Sequence, residues 1–179
     1  MRIALAQINV HIGNFESNFD KIARFIQQAE TSGADIILFP ELAVCGYPPR
    51  DFLDFSDFID QCYAVIDRIK PLTHKIAVII GSPARNTRAE GKDLFNAAFF
   101  IHEGEIQHVV HKALLPTYDI FDEYRYFEPA TEFSNITFKG RRIALTVCED
   151  LWNVGNDNPM YKACPMDMLI QDADRPEVM

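Results

Sequence analysis

The chain is poor in the residue pairings that build metal or disulfide frameworks. Its four cysteines, Cys45, Cys62, Cys148 and Cys164, include no C-x-x-C pair, and its five histidines are scattered. That spacing carries no zinc signature and points to reduced thiols in the cytosol. Positive charge is also scarce. Seventeen basic against 26 acidic residues give a net charge of −9, which argues against a nucleic-acid or acidic-membrane binder. No apolar run is long enough to span a bilayer, and the short apolar stretch after Arg2 reads as a strand rather than a secretory leader. Internal repeats and low-complexity tracts are lacking. What remains is ordinary for a globular protein: 48% hydrophobic and 24% charged residues in a 179-residue chain, enough for one domain with a sizeable core.

The order of elements points to the α/β class. Arg2 to Asn9 reads as a strand with apolar residues on both faces, which predicts a central position. Asn14 or Ser17 can cap a helix to about Thr31, with Phe19, Ile22, Phe25, Ile26 and Ala29 at helical spacing. Gly33 supplies its stop, and Ala34 to Phe39 is a second buried strand ended by Pro40. A β-α-β opening favours a parallel pair. The loop Glu41 to Arg50 contains Gly46 and Pro48-Pro49, which exclude regular structure. A helix follows over Phe58–Ile69, then a strand over Ile76–Gly81. Arg85 to Lys92 reads as an exposed loop. Leu94–Ile101 and Ile106–Val110 form a hairpin about His102-Glu-Gly-Glu105. Leu114 to Thr131 is irregular. A second hairpin joins Ile136–Phe138 to Ile143–Val147 about Lys139-Gly140, and Met160–Ile170 fits a short helix.

Three polar residues fall where predicted strands end. Glu41 follows Pro40, Lys112 follows the 106–110 strand, and Cys148 follows the 143–147 strand. Loops at strand ends are the usual place for sites in α/β sheets. A carboxylate could take the thiol proton, and an ammonium could steady first the thiolate and then a tetrahedral oxyanion. Each residue also has an ordinary structural reading. Cys148 would pack under a turn, Glu41 would cap one, and Lys112 would be a solvated surface lysine.

Phe39-Pro-Glu41-Leu, His111-Lys112 with Leu114-Leu-Pro116, and Val147-Cys148-Glu-Asp150 resemble, in order, the three motifs of the nitrilase (carbon–nitrogen hydrolase) superfamily. Glu41-Leu-Ala-Val-Cys-Gly-Tyr-Pro-Pro-Arg-Asp-Phe-Leu53 and Cys148-Glu-Asp-Leu-Trp152 more narrowly resemble the glutaminase domains of glutamine-dependent NAD⁺ synthetases. The resemblance implies an α-β-β-α sandwich and a single hydrolase domain over 1–179, incomplete at its C-terminal end. It implies Cys148 as nucleophile, Glu41 as general base and Lys112 at the oxyanion. Glu123 would hold the lysine, or else be a surface acid. Tyr118 and Phe121 would wall a glutamine pocket, as would Tyr47 unless it only packs its loop. The backbone N–H of Glu149 would be an oxyanion donor. The partners implied are glutamine, a synthetase domain and further copies of the chain in a homo-oligomer. The hydrolase step needs no cofactor or metal. ATP and Mg²⁺ belong to a synthetase domain, whose Ser-Gly-Gly loop has no counterpart here because no two glycines are adjacent. The residues 168–179 carry no further strand run. The alternatives are a relative acting on another amide or nitrile, or an inactive fragment that serves by association.

Overall fold

A computed structural model of the chain describes residues 1–155, 160–171 and 175–179. They divide into two compact units, one formed by 1–84 and 96–109, the other by 85–95 and 110–179.

The first unit opens with β1 (Ile3–Leu5), α1 (Phe15–Thr31) and β2 (Ile36–Leu38). The two strands pair in parallel, Ile3 opposite Ile36 and Leu5 opposite Leu38. Asn14 is the cap of α1: its side-chain oxygen accepts the Ser17 N–H at 3.3 Å. Ile22, Ile26 and Ala29 line the helix's buried stripe, and each buried isoleucine contributes roughly 2–3 kcal/mol relative to exposure. Next come α2 (Ser56–Ile69), β3 (Ala77–Arg85), β4 (Leu94–His102) and β5 (Glu105–His111). The five strands form one sheet in the order β1-β2-β3-β4-β5. The turn between β4 and β5 uses Glu103 and Gly104, both at positive φ.

Two expectations change in this unit. The first strand is short and lies at the sheet's edge, with Leu5 76% exposed, rather than at its centre. Apolar residues on both faces cannot distinguish a covered strand from an edge strand. The strand predicted to end at Gly81 runs on through Pro83 to Arg85. Beyond Leu38, which pairs with Ile79, the loop after β2 takes the vacated side: the Val44 N–H donates to the Gly81 carbonyl at 3.2 Å. By the two-residue period of a strand, Pro83 faces that same side, where β2 has ended and its missing N–H leaves no ladder bond unmade.

In the second unit, α3 (Glu123–Tyr126) is a single turn inside the irregular stretch. An antiparallel hairpin of β6 (Ile136–Phe138) and β7 (Arg141–Ile143) turns about Lys139 and Gly140, at φ 48° and 72°. The strand predicted over 143–147 is therefore shifted: the ladder ends at Ile143, and Ala144, Leu145 and Val147 continue as buried chain outside it. The cause is a shortage of partners. β6 offers three residues, and among the described residues the other edge meets Glu177 and Val178: Val178 bridges Ile143 in parallel, the Glu177 N–H donates to the Arg142 carbonyl at 2.8 Å, and the Ala144 N–H donates to the Val178 carbonyl at 2.9 Å. The tail thus supplies one bridging residue where none was expected; its residues 172–174 lie outside the described set. The last helix, α4 (Pro165–Gln171), starts five residues later than predicted. A proline is accommodated in the first helical turn and not deeper inside, so Pro165 sets the start.

Candidate active site

Lys112 directly follows β5. Its carbonyl accepts the Ala130 N–H at 3.0 Å, and its side chain is fully buried. The ammonium donates to both carboxylate oxygens of Glu123, at 2.9 and 2.8 Å. Glu123 opens α3, is 5% exposed, and donates its own N–H to the Pro116 carbonyl. A lysine this deep requires a partner of opposite charge, because an unpaired ammonium in a low dielectric is costly. The readings of Lys112 as a solvated surface group and of Glu123 as a surface acid are both excluded.

Cys148 is exposed, has φ 48°, and opens a turn of 3₁₀ helix over Cys148–Leu151. A left-handed backbone at a residue with a Cβ costs on the order of 1–2 kcal/mol and needs outside support. The neighbours on either side supply it. Asp150 donates its N–H to the Val147 carbonyl at 3.1 Å, and its carboxylate accepts the Val147 N–H at 3.2 Å. The other Asp150 oxygen accepts the N–H groups of Ala113 and Leu114, at 3.0 and 2.8 Å. Burial pushes this carboxyl up to about 6, against the pull of those three N–H groups and of Lys112.

The Glu149 carboxylate is buried as well. It accepts the Tyr118 hydroxyl at 2.9 and 3.1 Å and the Tyr161 hydroxyl at 2.8 Å. Both phenols are held above their ordinary range, Tyr118 chiefly by its bond to Glu149 and Tyr161 chiefly by burial, so both remain donors. Phe121 packs edge-on against the Tyr118 ring, with centroids 5.7 Å apart.

In the first unit, Glu41 stands just past β2. Its Oε1 accepts the side-chain N–H of Asn96, a fully buried residue of β4, at 2.6 Å. The loop that carries Glu41 lies directly on Gly81, where an added Cβ would come within 2.8 Å of the Glu41 Cα. Leu42 has φ 49°. Tyr47 is half-buried in the same loop, after Gly46, where an added Cβ would come within 2.7–2.8 Å of the His11–Ile12 backbone.

The structure therefore gathers Lys112, Tyr118, Phe121, Glu123, Cys148 and Glu149 in the second unit and sets Glu41 and Tyr47 in the first. Sequence reasoning missed four contributors: Gly81, Asn96, Asp150 and Tyr161. Asn96 had a signal, being one amide inside the apolar run Leu94-Phe-Asn-Ala-Ala-Phe-Phe-Ile101. Tyr161 had none, because it lies 12 residues beyond Glu149 with no periodic sequence pattern linking the two.

Comparisons with known proteins give this α/β chain a family. Residues 2–163 match the carbon-nitrogen hydrolase family, and the chain belongs to it. It is 43% identical over 155 residues to the glutamine-dependent NAD(+) synthetase of Synechocystis sp., a match covering 84% of this chain and 28% of that protein. Among solved structures, the glutamine-dependent NAD+ synthetase of Acinetobacter baumannii superposes with a TM-score of 0.75 at 31% identity, over 86% of this chain and 28% of the other. An amidase from Nesterenkonia sp. superposes with a TM-score of 0.73 at 26% identity, over 84% of this chain and 56% of the other. The chain thus spans little more than a quarter of the length of the synthetases it resembles.

Proposed function

We propose that the chain hydrolyses the side-chain amide of glutamine through a Cys148 thioester and supplies the ammonia to a synthetase that amidates deamido-NAD⁺. The observation that carries this reading is an exposed thiol on a left-handed backbone, in the unit that also buries the Lys112–Glu123 pair. The resemblance to glutamine-dependent NAD(+) synthetases supports the choice of substrate.

In the proposed mechanism the Cys148 thiol gives its proton to Glu41, and the thiolate attacks the amide carbon. The oxygen that gains the negative charge is met by the Lys112 ammonium and the Glu149 N–H. Collapse breaks the C–N bond, and ammonia leaves with the proton returned from Glu41. Glu41 then takes a proton from water, the hydroxide attacks the γ-glutamyl thioester, and glutamate leaves as Cys148 is restored. Two lower barriers replace one high barrier, because a thiolate attacks better than water and a thioester hydrolyses more readily than an amide. Glu123 keeps Lys112 charged and aimed, and Asn96 orients Glu41. Tyr47, Tyr118 and Phe121 wall the glutamine pocket. No step draws on a cofactor or metal; ATP and Mg²⁺ would serve the synthetase reaction. We place the chain in the cytosol as a homo-oligomer that binds neither nucleic acid nor membrane. Among the described residues no helix is long and apolar enough to cross a membrane.

The similarity to an amidase favours a second reading, in which the same chemistry serves a simpler amide. Ammonia release from glutamine, asparagine, acetamide and propionamide separates the two. Glutamine preferred by tenfold or more, with all release abolished in Cys148→Ala, supports the first reading; equal or better turnover of the aliphatic amides refutes it.

A further inference from the structure

Asp150 takes no part in the proton and acyl transfers written above, yet it is among the most thoroughly bonded side chains of the second unit. It is 2% exposed, and its carboxylate accepts three backbone N–H groups from two separate stretches of chain. One oxygen holds Ala113 and Leu114, the two residues after Lys112. The other holds Val147, the residue before Cys148. The Asp150 N–H also closes back on the Val147 carbonyl at 3.1 Å. Cys148 is thus bracketed by a reciprocal pair of bonds, and this bracket is what sustains its φ of 48°.

We propose that Asp150 is a positioning residue that joins the backbone under the nucleophile to the backbone under the oxyanion lysine, so that thiol and ammonium address the carbon and the oxygen of one amide carbonyl. The proposal rests on the amide-hydrolysis reading and deepens it. The geometry favours a carboxylate over any other side chain. Only an ionised acid presents acceptors on both oxygens without a donor to oppose the N–H groups. An amide at this position would satisfy one stretch and set an N–H against the N–H of the other, leaving either the Cys148 turn or the Lys112 segment unanchored. Displacements of about 1 Å at reacting groups cost up to about a hundredfold in rate.

The test is Asp150→Asn in the full chain, read three ways. Glutamine turnover should fall about 10- to 100-fold in kcat with KM changed less than about threefold, because alignment is lost and binding is kept. The pH profile for alkylation of Cys148 by iodoacetamide should move, while Glu123-dependent burial of Lys112 is retained. A folded variant with unchanged kcat and an unchanged alkylation profile overturns the proposal. If the wild-type chain releases no ammonia from glutamine, the functional reading fails, and the alkylation profile still decides the role of Asp150. If the variant does not fold, hydrogen exchange in the wild type decides. Amides of Ala113, Leu114 and Val147 that open together support a single clamp, and amides that open independently refute it.

Discussion

Removing Glu123 should be far more damaging to stability than removing the whole ion pair. Lys112 is 0% exposed and its ammonium donates to both Glu123 oxygens at 2.8–2.9 Å, so Glu123→Gln removes the opposing charge from a buried cation. Breaking a buried pair from one side typically costs about 3–5 kcal/mol, whereas exchanging both members for apolar residues of similar volume is often close to neutral. With a urea m-value of about 2 kcal/mol/M, Glu123→Gln should lower the unfolding midpoint by roughly 2 M. Lys112→Met combined with Glu123→Leu should recover most of that loss. Activity should follow the opposite rule. The double variant should be as inactive as Lys112→Ala, because the cation proposed to meet the oxyanion is gone although the fold is restored. Urea titrations followed by far-UV circular dichroism, alongside an ammonia-release assay, read both quantities. A loss below about 1 kcal/mol for Glu123→Gln, or a double variant no more stable than the single one, would refute the reasoning.

Gly81→Ala should reduce activity with little change in the sheet, since the new Cβ presses within 2.8 Å of the Glu41 backbone; a kcat loss of about tenfold or more is expected, and an unchanged kcat contradicts the close approach. Asn96→Leu removes the amide that holds Glu41 at 2.6 Å, so kcat should fall about tenfold with KM little changed; an unchanged kcat would show that Asn96 does not position Glu41. Asp150 makes stability depend on pH in a defined direction. Its folded value of about 6 lies above the ordinary 3.8, so the fold holds this proton more tightly. The group's contribution is greatest below pH 3.8 and is lost as pH rises to about 6, a change of about 3 kcal/mol at 1.4 kcal/mol per unit. The difference in unfolding free energy between wild type and Asp150→Asn, measured from pH 4 to 7, should carry that slope, and a flat difference would exclude it.

The α/β class, the parallel opening and both hairpins were legible because they rest on local signals: the Asn14 cap, the helical stripe of α1, and glycines at 104 and 140. Errors arose where a partner decides the outcome. The run Ile143–Val147 has the composition of a strand, but a ladder needs neighbours, and among the described residues β6 pairs it only as far as Ile143 while Glu177 and Val178 meet the other edge. The edge position of β1 was hidden for the same reason. At the candidate site, the motifs around Cys148, Lys112 and Glu41 singled them out as candidates, and the place after a strand held for Lys112 and Glu41 but not for Cys148, which lies five residues past the end of β7. Asp150 was visible only as an acid beside a cysteine, and Glu149 only for its backbone N–H, not for its side chain. Their roles come from partners 31 to 37 residues away, a separation that no periodicity encodes.

The central claim is a covalent one, and mass spectrometry tests it directly. The chain is incubated with a glutamine analogue that carries an electrophilic ketone in place of the amide, and the intact protein and its peptides are weighed. One adduct per chain on Cys148, blocked by excess glutamine and absent in Cys148→Ala, is the predicted result. No adduct, or labelling spread over Cys45, Cys62 and Cys164 in its place, would contradict it.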